Sequence, residues 1–270
     1  MKTILITGAS SGIGKETAKL FQSKNWNVIA TMRNPDTETE LKGLDNVLVT
    51  KIDVLDPVSI NNAVNEGIAK FGSIDVLLNN AGYGAYGILE SFSREQIIRQ
   101  FDTNVIGLLD VTKALLPHFR NNKSGIIINV SSIGGKMAFP LGTLYHGTKF
   151  AVEGISESLS YEVEQFGGQV KIVEPGAIAT EFTGRSMDFS NDESIAEYQP
   201  IVGKVLAAVE TMFSQASPAS VVAGVIYEAA TDGKNQLRYT AGEDAKAVIA
   251  QRQQLDDANF IGGMKAQFGL

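Results

Sequence analysis

Eleven residues near the amino terminus, Ile4-Leu5-Ile6-Thr7-Gly8-Ala9-Ser10-Ser11-Gly12-Ile13-Gly14, constrain the fold of this chain more than any others. Ile4 to Ile6 predict a buried strand, and the polar, glycine-rich run behind them a tight turn. Lys15 to Ser23 then sets Ala18, Leu20 and Phe21 along the start of a helix face. A strand, a glycine turn and a helix N-terminus together form an anion site. Free backbone N–H groups and the positive end of the helix dipole point at whatever lies in the turn. Glycine is needed there because a Cβ would block a pyrophosphate or forbid the backbone angles of the turn. The spacing is Gly-x3-Gly-x-Gly rather than the G-x-G-x-x-G of the commonest dinucleotide fingerprint. Taken alone, such a turn is equally a plain strand-to-helix corner, and it gains meaning only from the rest of the chain.

The rest repeats the same alternation. Asn27 to Thr31, Val47 to Ile52, Asp75 to Asn79, Ile126 to Val130 and Val170 to Val173 predict further strands, and Gln236 to Thr240 a short seventh. Pro35 to Gly43 leaves room for only a short helix. Helical patterns cover Pro57 to Phe71, Arg94 to Arg120 with Pro117 bending or ending it, Leu144 to Glu164, and Val221 to Ala230. Ser217-Pro218 reads as an N-cap with proline at the first helical position. Strands this uniformly apolar belong in a parallel sheet covered on both faces. The expected fold is α/β, a doubly wound Rossmann fold with a mainly parallel, seven-stranded sheet, and residues 1–270 form one domain without a linker.

One stretch departs from the rhythm. Residues 177–217 show no strand pattern, and Thr183 to Asp192 is rich in Gly, Ser and Asp, yet Phe182, Met187, Phe189, Tyr198, Met212 and Phe213 fall within it. A long insertion mixing flexible and large apolar residues suits a lid over a substrate site. For its second half, a peripheral helix pair with its own small core is an equal alternative.

Composition narrows the partners. A net charge of −7 with scattered basic residues argues against nucleic acid or an anionic membrane as the main partner. No apolar run approaches the ~18 residues of a transmembrane helix, and a cytoplasmic location is the default expectation. Without cysteine, disulfides and thiolate chemistry are excluded, and His146 has no partner histidine nearby, so no metal is expected.

In a sheet of this kind ligands lie beyond the carboxyl ends of the strands. Those ends carry the glycine turn, Met32-Arg33, Asp53, Asn80-Ala81-Gly82, Ser131-Ser132 and Pro175-Gly176, nearly all of them small or polar. Beyond the fifth strand, Tyr145 and Lys149 stand four apart in a helical stretch, one turn apart on one face. A phenol of pKa near ~10 is a poor acid or base at neutral pH, and a neighbouring ammonium lowers it. A tyrosine, a lysine and a serine hydroxyl would together serve a developing alkoxide with one proton donor and a second hydrogen bond.

At this point the chain resembles the short-chain dehydrogenase/reductases over nearly its whole length. The resemblance rests on Thr7-Gly8-x3-Gly12-Ile13-Gly14, Asn79-Asn80-Ala81-Gly82, Asn104-Val105-x-Gly107, Ser132, Tyr145-x3-Lys149 and Pro175-Gly176. It implies an oxidoreductase in which Tyr145 is the catalytic acid/base and Ser132 polarises the carbonyl. Lys149 would bind the nicotinamide ribose and lower the Tyr145 pKa, and Asn104 would hold a water linking Lys149 to solvent. Ser132 rather than Ser131 is selected because the family's serine precedes the tyrosine by thirteen residues.

The cofactor would lie along Gly8, Ser10, Ser11, Gly12, Ile13 and Gly14, with Asp53 and Val54 at the adenine. Asn80, Ala81, Gly82, Pro175 and Gly176 would flank it, and Ile178 and Thr180 would meet the carboxamide. At the second strand end Met32 stands where NAD enzymes carry an acid, and Arg33 follows it, which favours NADP and its 2′-phosphate. Candidate substrate-pocket residues are Tyr83, Tyr86, Ala138, Phe139, Leu141 and Leu144, with Met187 and Phe189 from the lid. They suit an apolar ketone or secondary alcohol, with Arg185 and Lys136 the only nearby cations. An NADPH-dependent carbonyl reductase is the leading expectation. The alternatives are an NAD-dependent hydroxysteroid or alcohol dehydrogenase working oxidatively, and a non-catalytic cofactor sensor. The family also implies a homodimer or homotetramer. His146 and Glu174 depart from the family's usual residues, and His146 reads as a bystander or a substrate-side contact.

Overall fold

Among the described residues the strands are β1 (Thr3–Ile6), β2 (Asn27–Met32), β3 (Val47–Lys51), β4 (Val76–Asn79), β5 (Gly84–Gly87), β6 (Gly125–Val130), β7 (Gly168–Pro175), β8 (Ile178–Ala179), β9 (Met187–Ser190), β10 (Ser217–Pro218) and β11 (Arg238–Ala241). The helices are α1 (Gly12–Ser23), α2 (Pro57–Phe71), α3 (Arg94–Phe101), α4 (Gly107–Asn122), α5 (Thr143–Glu164), α6 (Gln199–Phe213), α7 (Ala219–Thr231), α8 (Glu243–Gln254) and α9 (Asp257–Gln267). This computed structural model describes residues 1–270 apart from Phe182, Thr183 and Arg185.

Seven strands form one sheet in the order β11-β7-β6-β4-β1-β2-β3, every neighbouring pair parallel. The expected doubly wound α/β fold is therefore present. Alternation along β1 explains its two layers. Ile4 and Ile6 face a cluster with Phe21 of α1 and Val222 and Ile226 of α7, whereas Leu5 faces one with Ile60 of α2 and Val111, Leu115 and Phe119 of α4. Strand order reverses between β1 and β4, which opens the crevice where such sheets take ligands.

Four local expectations are corrected. The helical stretch from Arg94 divides into α3 and α4 around a π-helical turn, Asp102–Ile106. Pro117 does not end α4, because Leu115 and Phe119 are locked into the core and hold its last turns to Asn122. Residues 177–217 do contain strands. β8 pairs with β10, and β9 pairs with β5, so the insertion is tied down twice. Finally, α7 begins one residue later than expected, with Pro218 rather than Ser217 at its N-cap.

The second half of the insertion forms one helix, α6, rather than a pair with its own core. Val205 of α6 packs with Phe260 and Met264 of α9, Phe268, and Ile133 and Met137 beyond β6. No helix among the described residues is long and apolar enough to cross a membrane.

Candidate active site

The glycine turn is built as its sequence requires. Gly8 has φ +69° and Gly12 φ +53°, the left-handed region that side chains disfavour. A Cβ on Gly14 would lie 2.3 Å from the Gly8 carbonyl oxygen, so α1 meets the turn through bare backbone. Thr7, which the sequence offers only as part of the motif, joins two motifs here. Its Oγ1 accepts the N–H groups of Asn80 and Ala81 at 3.0 and 3.1 Å. Asn80 in return donates Nδ2 to the carbonyls of Thr7 and Gly8 at 3.0 and 3.1 Å. On the far side, Thr180 closes over Gly12, where a Cβ would lie 3.2 Å from its Cγ2. Ser10, Ser11 and Gly12 line a groove of about 480 Å³ with Thr180 and Pro218.

The remaining strand ends are less uniform. Met32 is 3% exposed and belongs to the core, so its side chain is not at a ribose position. Arg33 is the residue that emerges there, exposed and without a hydrogen bond or ion pair among the described residues. Lys15 is committed, to Glu38 at 3.2 Å and Glu40 at 3.0 Å. Asp53 accepts the Leu55 N–H at 3.1 Å, and Val54 packs under Gly107. Beyond β7, Gly176 allows close approach of Asp244, which accepts the Ala177 N–H at 2.8 Å. Ile178 is in the core behind this turn.

The catalytic candidates converge. Ser132 leaves β6 and its hydroxyl hydrogen-bonds Tyr145, while Ser132 Oγ also accepts the Gly134 N–H at 3.0 Å. Ser131 is buried, and its Oγ has no hydrogen-bond partner among the described residues. Burial pushes the Tyr145 phenol up to about 12, against the pull of the Ser132 hydrogen bond. Desolvation thus outweighs any lowering by Lys149, and the net shift of the phenol is upward. The Lys149 ammonium lies 5.7 Å from the Tyr145 ring and donates to the Val130 carbonyl at 2.8 Å. Burial brings it down to about 8, with Glu153 opposing. Asn104, on the π turn, donates Nδ2 to the Tyr83 carbonyl at 2.8 Å and to Thr148 Oγ1 at 3.2 Å. Its Oδ1 accepts the Tyr83 N–H at 3.1 Å, so the asparagine is fixed between the segment before β5 and Thr148 of α5.

The candidate pocket residues divide into three groups. Tyr83 lies under the Arg99 guanidinium at 5.1 Å, and Leu144 packs into a small core with Ala85 and Phe92. Phe139 and Leu141 pack against the cluster around α6 and α9, while Ala138 is exposed. Met187 and Phe189 are half-buried on β9, and Tyr86, paired opposite Phe189, stacks on Tyr145 at 5.2 Å. Arg185 lies outside the described residues. The sequence gives no role to Thr148 or Asp244 and reads His146 as a bystander or a substrate-side contact. Their partners lie in other elements, and no spacing in the chain announces them.

Residues 2–191 match the family described as short chain dehydrogenase. An uncharacterised oxidoreductase of Schizosaccharomyces pombe is 47% identical over 239 residues, covering 88% of this chain and 100% of that protein. A 3-ketodihydrosphingosine reductase of Bacteroides thetaiotaomicron is 43% identical over 180 residues, 67% of this chain and 65% of its own length. Among solved structures, a short-chain dehydrogenase from Streptomyces avermitilis superposes with a TM-score of 0.85 at 31% identity, over 99% of this chain and 97% of that one.

Proposed function

Because the chain belongs to the short-chain dehydrogenase/reductase family and is an NAD(P)-dependent oxidoreductase, we propose that it is a carbonyl reductase that uses NADPH on apolar ketones. The observation that carries this reading is the buried Tyr145, hydrogen-bonded to Ser132 at the end of β6 and facing the Lys149 ammonium. The cradle fits a dinucleotide: Gly8 and Gly12 hold the turn open, and a Cβ on Gly14 would fill the backbone contact that seats the helix terminus.

When bound, the nicotinamide supplies a hydride to the carbonyl carbon. The protein's share is the proton. With its pKa raised, Tyr145 is a neutral phenol at pH 7 and can give its proton to the developing alkoxide. Ser132 holds the same oxygen by a second hydrogen bond. The phenolate left behind is stabilised by Ser132 and by the Lys149 cation, which carries its charge at neutral pH. Asn104, fixed by Tyr83 and Thr148, anchors the π turn beside this pair.

Arg33 is the proposed 2′-phosphate ligand. Its exposure and its lack of a partner among the described residues support this, as does the commitment of Lys15 to two glutamates. Apolar substrates are supported by Phe139, Leu141, Met187 and Phe189, and by the lipid ketone that the Bacteroides relative's name specifies. Exposed Ile106, Phe150 and Tyr161 along the long helices support a homo-oligomer, which light scattering would register. Loss of NADPH absorbance with a panel of ketones tests the activity. Turnover with NADPH and an aryl or long-chain ketone is expected, and no turnover with any ketone would overturn it.

A further inference from the structure

Ser132 opens the 132–142 loop that also carries Ala138, Phe139 and Leu141, and this loop is under strain. Leu141 has φ +63°, a left-handed conformation that a leucine adopts only when its surroundings impose it. Gly87 of β5 secures one end, donating its N–H to the Leu141 carbonyl at 2.8 Å. His146 secures the rest. Its ring is 3% exposed, with Nδ1 3.0 Å from the Gly134 carbonyl and Nε2 3.0 Å from the Phe139 N–H. A carbonyl can only accept and an N–H can only donate, so the ring must be neutral, with its proton on Nδ1.

Space has been made for this ring on both sides. A Cβ on Gly134 would lie 2.7 Å from Nδ1, and one on Gly142 2.4 Å from Nε2. The bond continues into the site, since the Gly134 N–H donates to Ser132 Oγ at 3.0 Å.

We propose that His146 is a positioning residue: a neutral imidazole that fastens the 132–142 loop to the helix bearing Tyr145 and thereby sets Ser132 and Phe139 against that tyrosine. The proposal rests on the reductase reading above. Protonation of Nε2 removes the acceptor for Phe139 and sets two donors against each other. The titratable groups packed on the ring are the phenols of Tyr86, on β5, and Tyr145, with ring centres 6.2 and 5.8 Å away. Lys136 on the loop and Lys149 on α5 are the cations of the adjoining elements. The α5 carboxylate Glu153 is taken by Arg238 at 2.9 Å. Burial holds the imidazole below its ordinary range, so the latch is intact at neutral pH and is lost only on the acid side of the ordinary histidine range.

Nitrogen-15 NMR of the wild-type protein reads the tautomer directly, and His118→Gln assigns the signals of the only two histidines. An Nδ1–H ring is expected, and an Nε2–H ring would overturn the proposal. His146→Phe keeps an aromatic ring but neither hydrogen bond. Its kcat should fall about tenfold to a hundredfold, the scale of a misplaced catalytic group, with NADPH affinity unchanged. Amide exchange across residues 132–142 should rise with it. His146→Gln restores an acceptor for Phe139 and should recover part of the rate while losing the acid limb of the pH profile; if His146→Phe fails to fold, this variant carries the test. Wild-type exchange and kcat in His146→Phe, or an unchanged acid limb in His146→Gln, would overturn the proposal. If the wild-type protein reduces no ketone, the reductase reading fails, and the tautomer and exchange still decide the latch.

Discussion

At the scale of single residues, two neighbouring serines have opposite surroundings. Ser132 meets Tyr145, whereas Ser131 Oγ is turned into the protein toward Gly135, where a Cβ would lie 2.6 Å from it. Counting back from the tyrosine selects the serine that the structure brings to Tyr145, a choice composition could not make. Ser132→Ala should lower kcat about a hundredfold to a thousandfold, as when one oxyanion donor is lost, and Ser131→Ala should stay near wild type. Equal losses in a ketone assay would mean that the wrong hydroxyl has been assigned. Tyr145→Phe should lose about a hundredfold or more while still binding NADPH, which a fluorescence titration would read. Lys149 adds a pH dependence. Its charge is present below about 8 and disappears as pH rises through that value, so kcat for reduction should fall on the alkaline side. Lys149→Arg keeps the charge and should move that limb upward; a limb that stays near 8 would assign it to another group.

The cofactor pair at the end of β2 was only half legible. Side chains alternate between the two faces of β2, so Met32 shares the buried layer of Val28 and Ala30, and Arg33, the next residue, is the exposed one proposed for the ribose phosphate. An acid at Met32 would be buried and destabilising rather than selective for NADH. Arg33→Ala should cost NADPH on the order of tenfold to a hundredfold against NADH, the equivalent of one charge-assisted contact of roughly 1.5–3 kcal/mol. An unchanged ratio of kcat/KM for the two cofactors would remove Arg33 from the role.

At the scale of elements, the seven-stranded parallel sheet was legible because each strand is an unbroken apolar run and the runs alternate with helical stretches. What sequence could not supply were features set by distant partners. Gly84-Ala85-Tyr86-Gly87 has little strand propensity, yet it pairs with Met187 to Ser190 about a hundred residues later. No breaker marks the π turn at Asp102–Ile106, which stands where Asn104 bonds Tyr83 and Thr148. The C-terminal helices α8 and α9 bury few of their own residues and carry no clean apolar stripe. Inside β7 the pattern is broken by Lys171, 1% exposed, paired with Asp232 at 2.9 Å and Tyr239 at 3.1 Å. Removing one partner of such a pair leaves a buried charge, so Asp232→Asn should cost about 3–5 kcal/mol and lower the Tm accordingly. The Asp232 carboxyl is held down to about 2 in the folded state. Its stabilising contribution is therefore full above about 4 and is lost as pH falls through about 2. A Tm for Asp232→Asn within a degree of wild type would show that the pair is energetically idle.

At the scale of the molecule, the site lies between a rigid sheet and a mobile-looking sequence that the fold nevertheless ties down. The insertion is anchored through β8 and β10 at one point and through β9 at another, and Asp188 of β9 is held by Arg99 of α3 at 2.6 Å. Behind the 132–142 loop, α6 and α9 supply Val205, Phe260 and Met264, which back Phe139 and Leu141 with an apolar wall. The cations around this region are engaged elsewhere: Arg99 with Asp188, and Lys136 in the field of Glu157 and Glu174. Lys149 is bound to the Val130 carbonyl and serves Tyr145, so a substrate anion lying against Phe139 and Leu141 would be desolvated against hydrocarbon, at a cost that an uncharged chain or ring avoids. Apolar carbons burying roughly 25 cal/mol per Å² favour the opposite choice. An aryl or long-chain ketone should therefore exceed a small keto acid in kcat/KM by about tenfold or more, since burying one or two more methylene groups already supplies about 1.4 kcal/mol. A preference for the keto acid would overturn the apolar assignment and turn attention to Arg185 as the carboxylate's partner, with Arg185→Ala then expected to abolish that preference.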